Sequence, residues 1–201
     1  AHMLAYRAAQ TPDGEAFSYP EGGGWAKTTW AEVHERARTY AAGLRALGAG
    51  DEDRVGILAG TRVEWLLLDL GVNTAGCATT TIYPSSTPGD IQHIVADSSS
   101  VVVIAENDTQ VVKLQEIREQ IPSVKTVVNI DGGGSDDGWV ITLADLAAKG
   151  SEWMADDSHE SLDDVIARIT PERLATLIYT SGTTGKPKGV ELLHDCWLYT
   201  G

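Results

Sequence analysis

Cysteine is scarce in this chain of 201 residues, which contains only two. Cys77 and Cys196 lie far apart in the sequence and form no metal-ligand spacing, so a disulfide framework and a cysteine-based metal site are both excluded as organising features. We therefore expect both residues to be small buried hydrophobic side chains in a protein from a reducing compartment.

Positive charge is also in short supply. Lysine and arginine total 15 against 29 aspartate and glutamate residues, which gives a net charge of −14 and a pI near 4.6. Such a protein has no general attraction to nucleic acid or to anionic membranes. If it binds a phosphorylated ligand, positive potential has to be concentrated locally.

Long apolar runs are missing as well. The most apolar region, Val63–Cys77, is interrupted by Glu64, Asp69 and Asn73, so it is too short and too polar to cross a bilayer. No signal-peptide pattern is visible, and residues 1–3 resemble a cloning scar that should carry no fold argument. We expect a cytoplasmic protein without an integral membrane segment.

What the chain does have is a regular alternation of apolar strands and amphipathic helices. Strand-like segments are predicted at residues 54–59, 76–83, 101–106, 124–130 and 175–180, with helical patterns between the first four. Nearly continuous apolar strands separated by helices indicate parallel pairing. Right-handed crossovers then predict an α/β fold, with a doubly wound, mostly parallel sheet and helices on both faces.

Local signals add detail to this plan. Residues 17–30 read as a hairpin, and Thr29 and Thr61, each followed three residues later by glutamate, predict two capping boxes. Residues 131–138 are predicted to be a mobile turn-rich loop. Residues 142–167 are polar and weakly helical, with an N-cap at Ser161.

The segment "YTSGTTGKPKG", residues 179–189, carries the clearest chemistry. Its glycines allow backbone N–H groups to approach an anion closely, and its hydroxyl groups add further donors. Lys186 and Lys188 supply the local positive charge, and a threonine hydroxyl in such a loop can face a Mg²⁺ ion that bridges phosphates. The loop follows a strand's carboxyl end, where doubly wound sheets bind ligands.

Two other interpretations of this loop are weaker. A Walker A loop requires glycine six residues before its lysine and Ser or Thr after it, whereas Thr180 and Pro187 occupy those positions around Lys186. A flexible surface linker would rarely combine two lysines, a proline and a preceding buried strand.

Residues 179–190, "YTSGTTGKPKGV", resemble the signature loop of the adenylate-forming enzymes, which include acyl-CoA synthetases, peptide-synthetase adenylation domains and luciferases. His194 falls where that family often places a histidine. Upstream segments such as "TPDGEAF" and "VVVIAE" are similar to the family's amino-terminal region, and "TIYPSSTPGDIQHIVADS" is most similar to long-chain fatty acid–CoA ligases.

The resemblance implies a two-step reaction, in which a carboxylate and ATP give an acyl-adenylate and pyrophosphate, and coenzyme A then displaces AMP. It implies ATP, Mg²⁺ and coenzyme A as cofactors or co-substrates, and a fatty acid or other carboxylate as substrate. It assigns Thr184 as a metal ligand and the following residues to the nucleotide phosphates or the pocket wall: Thr180, Ser181, Gly182, Thr183, Thr184, Gly185, Lys186, Lys188 and His194.

By the same resemblance, residues 4–201 form the amino-terminal part of an AMP-binding domain, truncated after the phosphate loop. The family's catalytic lysine would lie beyond the chain end, so we expect the 201-residue chain alone to be inactive. Trp197, Leu198 and Tyr199 would be left uncovered and could promote self-association. The alternatives are an adenylation domain for another carboxylate and a stand-alone phosphate-binding module without chemistry.

The remaining polar residues suggest no further site. Glu191 is interpreted as a solvated helix start, and His34, His93 and His159 as surface residues of helix-like segments. None of these histidines has a cysteine or carboxylate at ligand spacing, which argues against a zinc site.

Overall fold

The computed structural model describes residues 1–180 and 186–198. A seven-stranded sheet lies between two layers of helices, and a separate two-stranded hairpin precedes it. The strands are β1 Glu15–Glu21, β2 Gly24–Thr29, β3 Arg54–Leu58, β4 Ala78–Ile82, β5 Val102–Asn107, β6 Thr126–Asp131, β7 Val140–Thr142, β8 Leu174–Thr180 and β9 Lys188–Leu193. The helices are α1 His2–Gln10, α2 Trp30–Ala46, α3 Val63–Thr74, α4 Pro88–Ser98, α5 Asp108–Glu116, α6 Leu143–Met154, α7 Leu162–Ala167 and α8 His194–Leu198, with a 3₁₀ turn at Arg118–Gln120.

The large sheet has the strand order β7-β6-β5-β3-β4-β8-β9. All its neighbouring pairs are parallel except β8 and β9, which are antiparallel. The chain moves from β3 to β4 on one side and then crosses to β5 on the other, so the winding direction reverses at β3. This arrangement confirms the predicted doubly wound, mostly parallel sheet.

Alternating side chains of the strands supply two hydrophobic cores, one on each face. Val102 and Ile104 of β5 pack with residues of α2, α3, α6 and α7. Val103 and Ala105, which point the other way, pack with residues of α4 and α5. Both faces are therefore covered by helices, as a mostly parallel sheet requires. None of the helices in the two described ranges is long and apolar enough to cross a membrane.

Two of the three predicted helix starts are confirmed. Thr29 and Glu32 form a reciprocal capping box at α2, and Ser161 caps α7 in the same way. The box predicted at Thr61 and Glu64 is wrong, because α3 starts after Arg62 with no side-chain cap. Glu64 instead accepts a hydrogen bond from Arg62 Nε at 2.6 Å.

The region after β6 contains internal hydrogen bonds and a short strand. Asn129 Nδ2 donates to the carbonyl of Gly133 at 3.1 Å, and the amide of Ser135 donates to the carbonyl of Val140 at 2.8 Å. These bonds fold the glycine-rich segment back so that the short strand β7, absent from the sequence prediction, can join the sheet. The weakly helical region that follows contains two helices, α6 and α7.

The two cysteines differ in environment. Cys77 is buried in the first core, as predicted, but Cys196 in α8 is exposed, so the prediction was wrong for that residue. Burial raises the pKa of the Cys77 thiol to about 12, which makes it an unreactive core residue.

Candidate functional site

The glycine-rich loop connects β8 to β9. Thr180 ends β8 and pairs in register with Lys188, the first residue of β9, so the two lie directly across from each other at the base of the loop. Both side chains are exposed, as is Lys186. The remaining predicted phosphate contacts, including the proposed metal ligand, lie outside the described residues: Ser181, Gly182, Thr183, Thr184 and Gly185.

The base of the loop lies at the carboxyl edge of the parallel sheet. Since β8 runs parallel to β4, the loop that follows β4 lies along the same edge. Lys113 of α5 fixes this neighbouring loop, because its ammonium group donates to the carbonyl oxygens of Pro84 at 2.7 Å and Ser86 at 3.1 Å. The edge therefore offers two adjacent loops outside the carboxyl ends of strands, which is where open α/β sheets bind ligands.

Two side chains of helix α4 contact the hairpin formed by β8 and β9. His93 Nε2 is 2.9 Å from the carbonyl oxygen of Pro187, and the Tyr179 hydroxyl donates to Asp97 Oδ2 at 2.7 Å. The rings of His93 and Tyr179 meet edge to face, with centroids 6.4 Å apart. Burial and the Asp97 carboxylate both raise the pKa of Tyr179, so its hydroxyl stays protonated and remains a donor.

Gly189 leaves little space for a side chain in this packing. A Cβ atom at this position would lie 3.1 Å from Tyr179 Cζ and 3.2 Å from its hydroxyl oxygen, closer than ordinary van der Waals contact. Gly189 therefore lets β9 lie close against the ring of Tyr179 in β8.

Arg62 is a further cation along this edge, and carboxylates compensate its charge. It follows β3 and forms ion pairs with Glu64 at 2.6 Å, with Glu106 at 3.9 Å and with Asp131. Hydrogen bonds to Asp131 and Glu64 raise the pKa of its guanidinium further above the usual range. By contrast, neither Lys186 nor Lys188 forms an ion pair within the part of the chain that the structure describes. Unlike the Arg62 guanidinium, the two loop lysines can therefore offer their charge to a ligand.

His194 is far from this edge. Strand β9 runs antiparallel to β8 and carries the chain back, so that Leu193 pairs with Leu174 at the opposite end of the hairpin. The backbone N–H of His194 donates there to the carbonyl of Arg173 at 3.0 Å, and burial lowers the pKa of its imidazole. Its position gives no support to the predicted ligand contact. Glu191 lies exposed within β9, so its interpretation as a helix start was wrong.

Sequence reasoning assigned no role to His93, Tyr179 or Arg62. The His93 contact joins residues 94 positions apart, which no local pattern reveals. Within residues 1–180 and 186–198, no group of three or more His, Cys, Asp or Glu side chains is arranged to hold a metal ion.

The chain also matches a known protein family. The profile of the AMP-binding enzyme family matches residues 4–200. A long-chain-fatty-acid–CoA ligase of Mycobacterium bovis is 33% identical over 195 residues, which cover 97% of this chain and 31% of that protein.

Solved structures also match this chain over nearly its whole length. A Mycobacterium tuberculosis fatty acyl CoA synthetase matches with a TM-score of 0.72 and 26% identity, over 96% of this chain and 34% of the other. A fatty acyl-adenylate ligase from L. pneumophila, solved with acyl adenylate and pyrophosphate, matches with a TM-score of 0.71 and 25% identity, over 99% and 31%. The chain thus spans about a third of the length of the proteins it matches.

Proposed function

Because this chain belongs to the AMP-binding enzyme family, we propose that it is the amino-terminal part, residues 4–201, of an ATP-dependent long-chain fatty acid–CoA ligase. The observation that carries the proposal is the position of the glycine- and hydroxyl-rich loop, which joins β8 to β9 at the carboxyl edge of the sheet. The similarity to a long-chain ligase over 97% of the chain supports the same substrate class.

In the proposed first step, a carboxylate oxygen of the fatty acid attacks the α-phosphorus of ATP, and the bond to the β-phosphate oxygen breaks. Pyrophosphate leaves with the electron pair, and an acyl-adenylate forms. In the second step, the thiol of coenzyme A attacks the acyl carbon, loses its proton, and displaces AMP. We assign no residue of this chain to the second step.

The loop's role would be to stabilise the leaving pyrophosphate. Negative charge grows on the β- and γ-phosphates as the bond to the α-phosphorus breaks, and fixed donors and cations lower the energy of that state. We assign Lys188 to this charge, since its exposed ammonium has no carboxylate partner within the described residues. We assign the same function to Thr180, Ser181, Gly182, Thr183, Thr184, Gly185 and Lys186.

Mg²⁺ would neutralise part of the phosphate charge when bound. This ion takes oxygen ligands and is commonly held by substrate phosphates with one or two protein groups, so it needs no dedicated carboxylate cage. The exposed hydroxyl of Thr180 at the loop base fits this donor chemistry. We keep Thr184 as the proposed ligand from the family resemblance.

The chain's matched relatives are about three times as long, since it covers 31% of the Mycobacterium bovis ligase. We therefore propose that acyl-chain and coenzyme A binding depend on other parts of the full-length protein, and that the 201-residue chain alone does not turn over. We further propose a cytoplasmic location, where ATP and coenzyme A are available. Self-association through the carboxyl-terminal residues stays a prediction; Trp197 there is 54% exposed.

The test is fatty-acid-dependent exchange of labelled pyrophosphate into ATP by the full-length protein, assayed with short, long and aromatic carboxylates. We expect exchange only when a long-chain acid is present. If a short or aromatic acid supports the fastest exchange, the substrate is an acid of that class and not a long-chain fatty acid. ATP hydrolysis independent of any carboxylate would contradict the ligase proposal and favour a phosphate-binding module with another role.

A further inference from the structure

Helix α4 contacts the hairpin on both sides of the glycine-rich loop. Resting on the proposed function of that loop, we infer that His93 is a positioning residue: its imidazole N–H holds the loop exit at Pro187 in the conformation that presents Lys188 to the phosphates. Tyr179, bound to Asp97 on the same helix, anchors the loop entry. His93 itself contacts no phosphate in this proposal.

The direction of the His93 bond is fixed by its acceptor. A carbonyl oxygen only accepts, so Nε2 must carry the hydrogen and donate across the 2.9 Å to Pro187. Proline has no N–H of its own and a restricted φ, so its carbonyl is the backbone group left to anchor this residue. Because Pro187 lies between Lys186 and Lys188, one hydrogen bond constrains the backbone of both cations.

The entry arm is also fixed to α4. Tyr179 immediately precedes Thr180, its side chain is 9% exposed, and its ring lies against Gly189 of the exit arm. The edge-to-face contact of His93 with Tyr179 connects the two anchors. Both arms of the hairpin are therefore tied to one helix, and that helix belongs to the second core.

Such anchoring has a function beyond stability. Fixing the backbone of a ligand-binding residue before the ligand arrives reduces the conformational entropy lost on binding. His93 is only half-buried and holds the hairpin through one side-chain hydrogen bond, so losing it should affect the loop far more than the whole molecule.

Two substitutions separate the donor from the ring. His93→Phe keeps an aromatic ring beside Tyr179 and removes the donor, whereas His93→Gln loses the ring but places an amide N–H where Nε2 lies. We would measure hydrogen–deuterium exchange of residues 186–190 in the chain without ligand, with the amides of β5 as internal controls. We expect His93→Phe to speed exchange of the hairpin residues about fivefold, the effect of one hydrogen bond, and His93→Gln to restore it.

The catalytic readout uses the full-length protein. His93→Phe should raise the KM for ATP about fivefold with an unchanged melting temperature, and His93→Gln should return the KM to the wild-type value. Unchanged hairpin exchange in His93→Phe would overturn the inference. Equal defects in both variants would also overturn it, because the ring rather than the donor would then be responsible.

The two proposals fail separately. A wild-type protein without fatty-acid-dependent pyrophosphate exchange would contradict the proposed function, while the hydrogen-exchange comparison would still decide whether His93 holds the hairpin.

Discussion

The ion pairing of charged side chains differs between the two edges of the large sheet. At the amino edge, where the strands begin, arginines and carboxylates from separate segments are paired with one another. At the carboxyl edge, the lysines at the exit of the β8–β9 loop are exposed, and neither pairs with a carboxylate in the described part of the chain. One edge uses charge to connect the fold, and the other leaves charge available to a ligand.

The amino-edge network is centred on Asp51, just before β3. Asp51 accepts from Arg45 of α2 at 3.0 Å and from Arg173, just before β8, at 3.0 Å. Arg168, after α7, reaches Asp51 at 3.4 Å and Glu160 at 2.6 Å, and Glu160 also pairs with Arg45 at 2.6 Å. These five side chains connect two stretches that are distant in sequence, residues 45–51 and residues 160–173.

The difference teaches where to look for function in this fold. A paired arginine already interacts with carboxylates of the protein, so its charge contributes to stability. An exposed lysine beside a glycine-rich turn contributes little to stability, and it can meet an anion without first breaking an ion pair. Arg62 shows that position on the carboxyl edge is not sufficient, because three carboxylates surround it.

The largest expected effect comes from Lys188→Ala in the full-length protein. We expect fatty-acid-dependent pyrophosphate exchange to fall about 10²- to 10³-fold, because a cation that stabilises the leaving group is lost. The melting temperature should not change, since the side chain is exposed. Lys186→Ala is the matched control and should cost less. Full exchange by Lys188→Ala would remove this lysine from the site.

Asp51→Asn, in contrast, should lower stability and not activity. It leaves Arg173 without its ion-pair partner and weakens the network, so we expect the free energy of unfolding to fall by about 2 kcal/mol, with solvent keeping the loss below that of a fully buried pair. Denaturant titration of the chain measures this. Glu15→Gln, which breaks the exposed pair with Lys27, is the control and should leave the unfolding midpoint unchanged.

Gly189→Ala tests the packing of β9 against Tyr179. The added methyl group would press on Tyr179, which Asp97 holds in place, so we expect a loss of about 1 kcal/mol in the free energy of unfolding. Gly133→Ala is the control, because a Cβ there meets nothing within 4 Å. Equal stability of the two variants would show that the hairpin can shift away from the ring.

Acid should weaken the amino-edge network. Burial on its own would raise the pKa of Asp51, but hydrogen bonds from Arg173 and Arg168 outweigh burial and hold it below its ordinary value of 3.8. A carboxylate with a lowered folded-state pKa stabilises the fold above its unfolded pKa, and this stabilisation is lost as the pH falls through the folded value. Stability of the wild type should therefore decline below about pH 3.8, and Asp51→Asn should decline less steeply over that range. Parallel pH profiles would contradict this.

Strands β3, β4, β5, β6 and β8 were predictable because each is an apolar or β-branched run next to a helix in the sequence. Strand β9 was missed because it is an edge strand whose side chains are mostly exposed, so it shows no apolar alternation. The capping box at Thr61 failed for a different reason. The spacing to Glu64 was correct, but that carboxylate pairs with the side chain of Arg62, two residues before it, and not with the backbone of Thr61.

The candidate site was predictable only in part. The loop's composition identifies an anion cradle, and its place after an apolar strand predicts the edge on which its base lies. The supporting contacts of α4 were not predictable, because they join His93 to Pro187 and Asp97 to Tyr179 across long stretches of sequence. The direction of β9 likewise decides that His194 lies away from the loop, and no residue pattern near His194 reports that direction.

The most direct test of the contrast between the edges is to measure exchange activity and unfolding stability side by side for Lys188→Ala and Asp51→Asn in the full-length protein. We predict that Lys188→Ala loses fatty-acid-dependent pyrophosphate exchange at unchanged stability. Asp51→Asn should lose stability but keep the wild-type exchange rate at a temperature where it is folded. If both variants lose activity and stability together, the two edges do not divide these roles and the account is wrong.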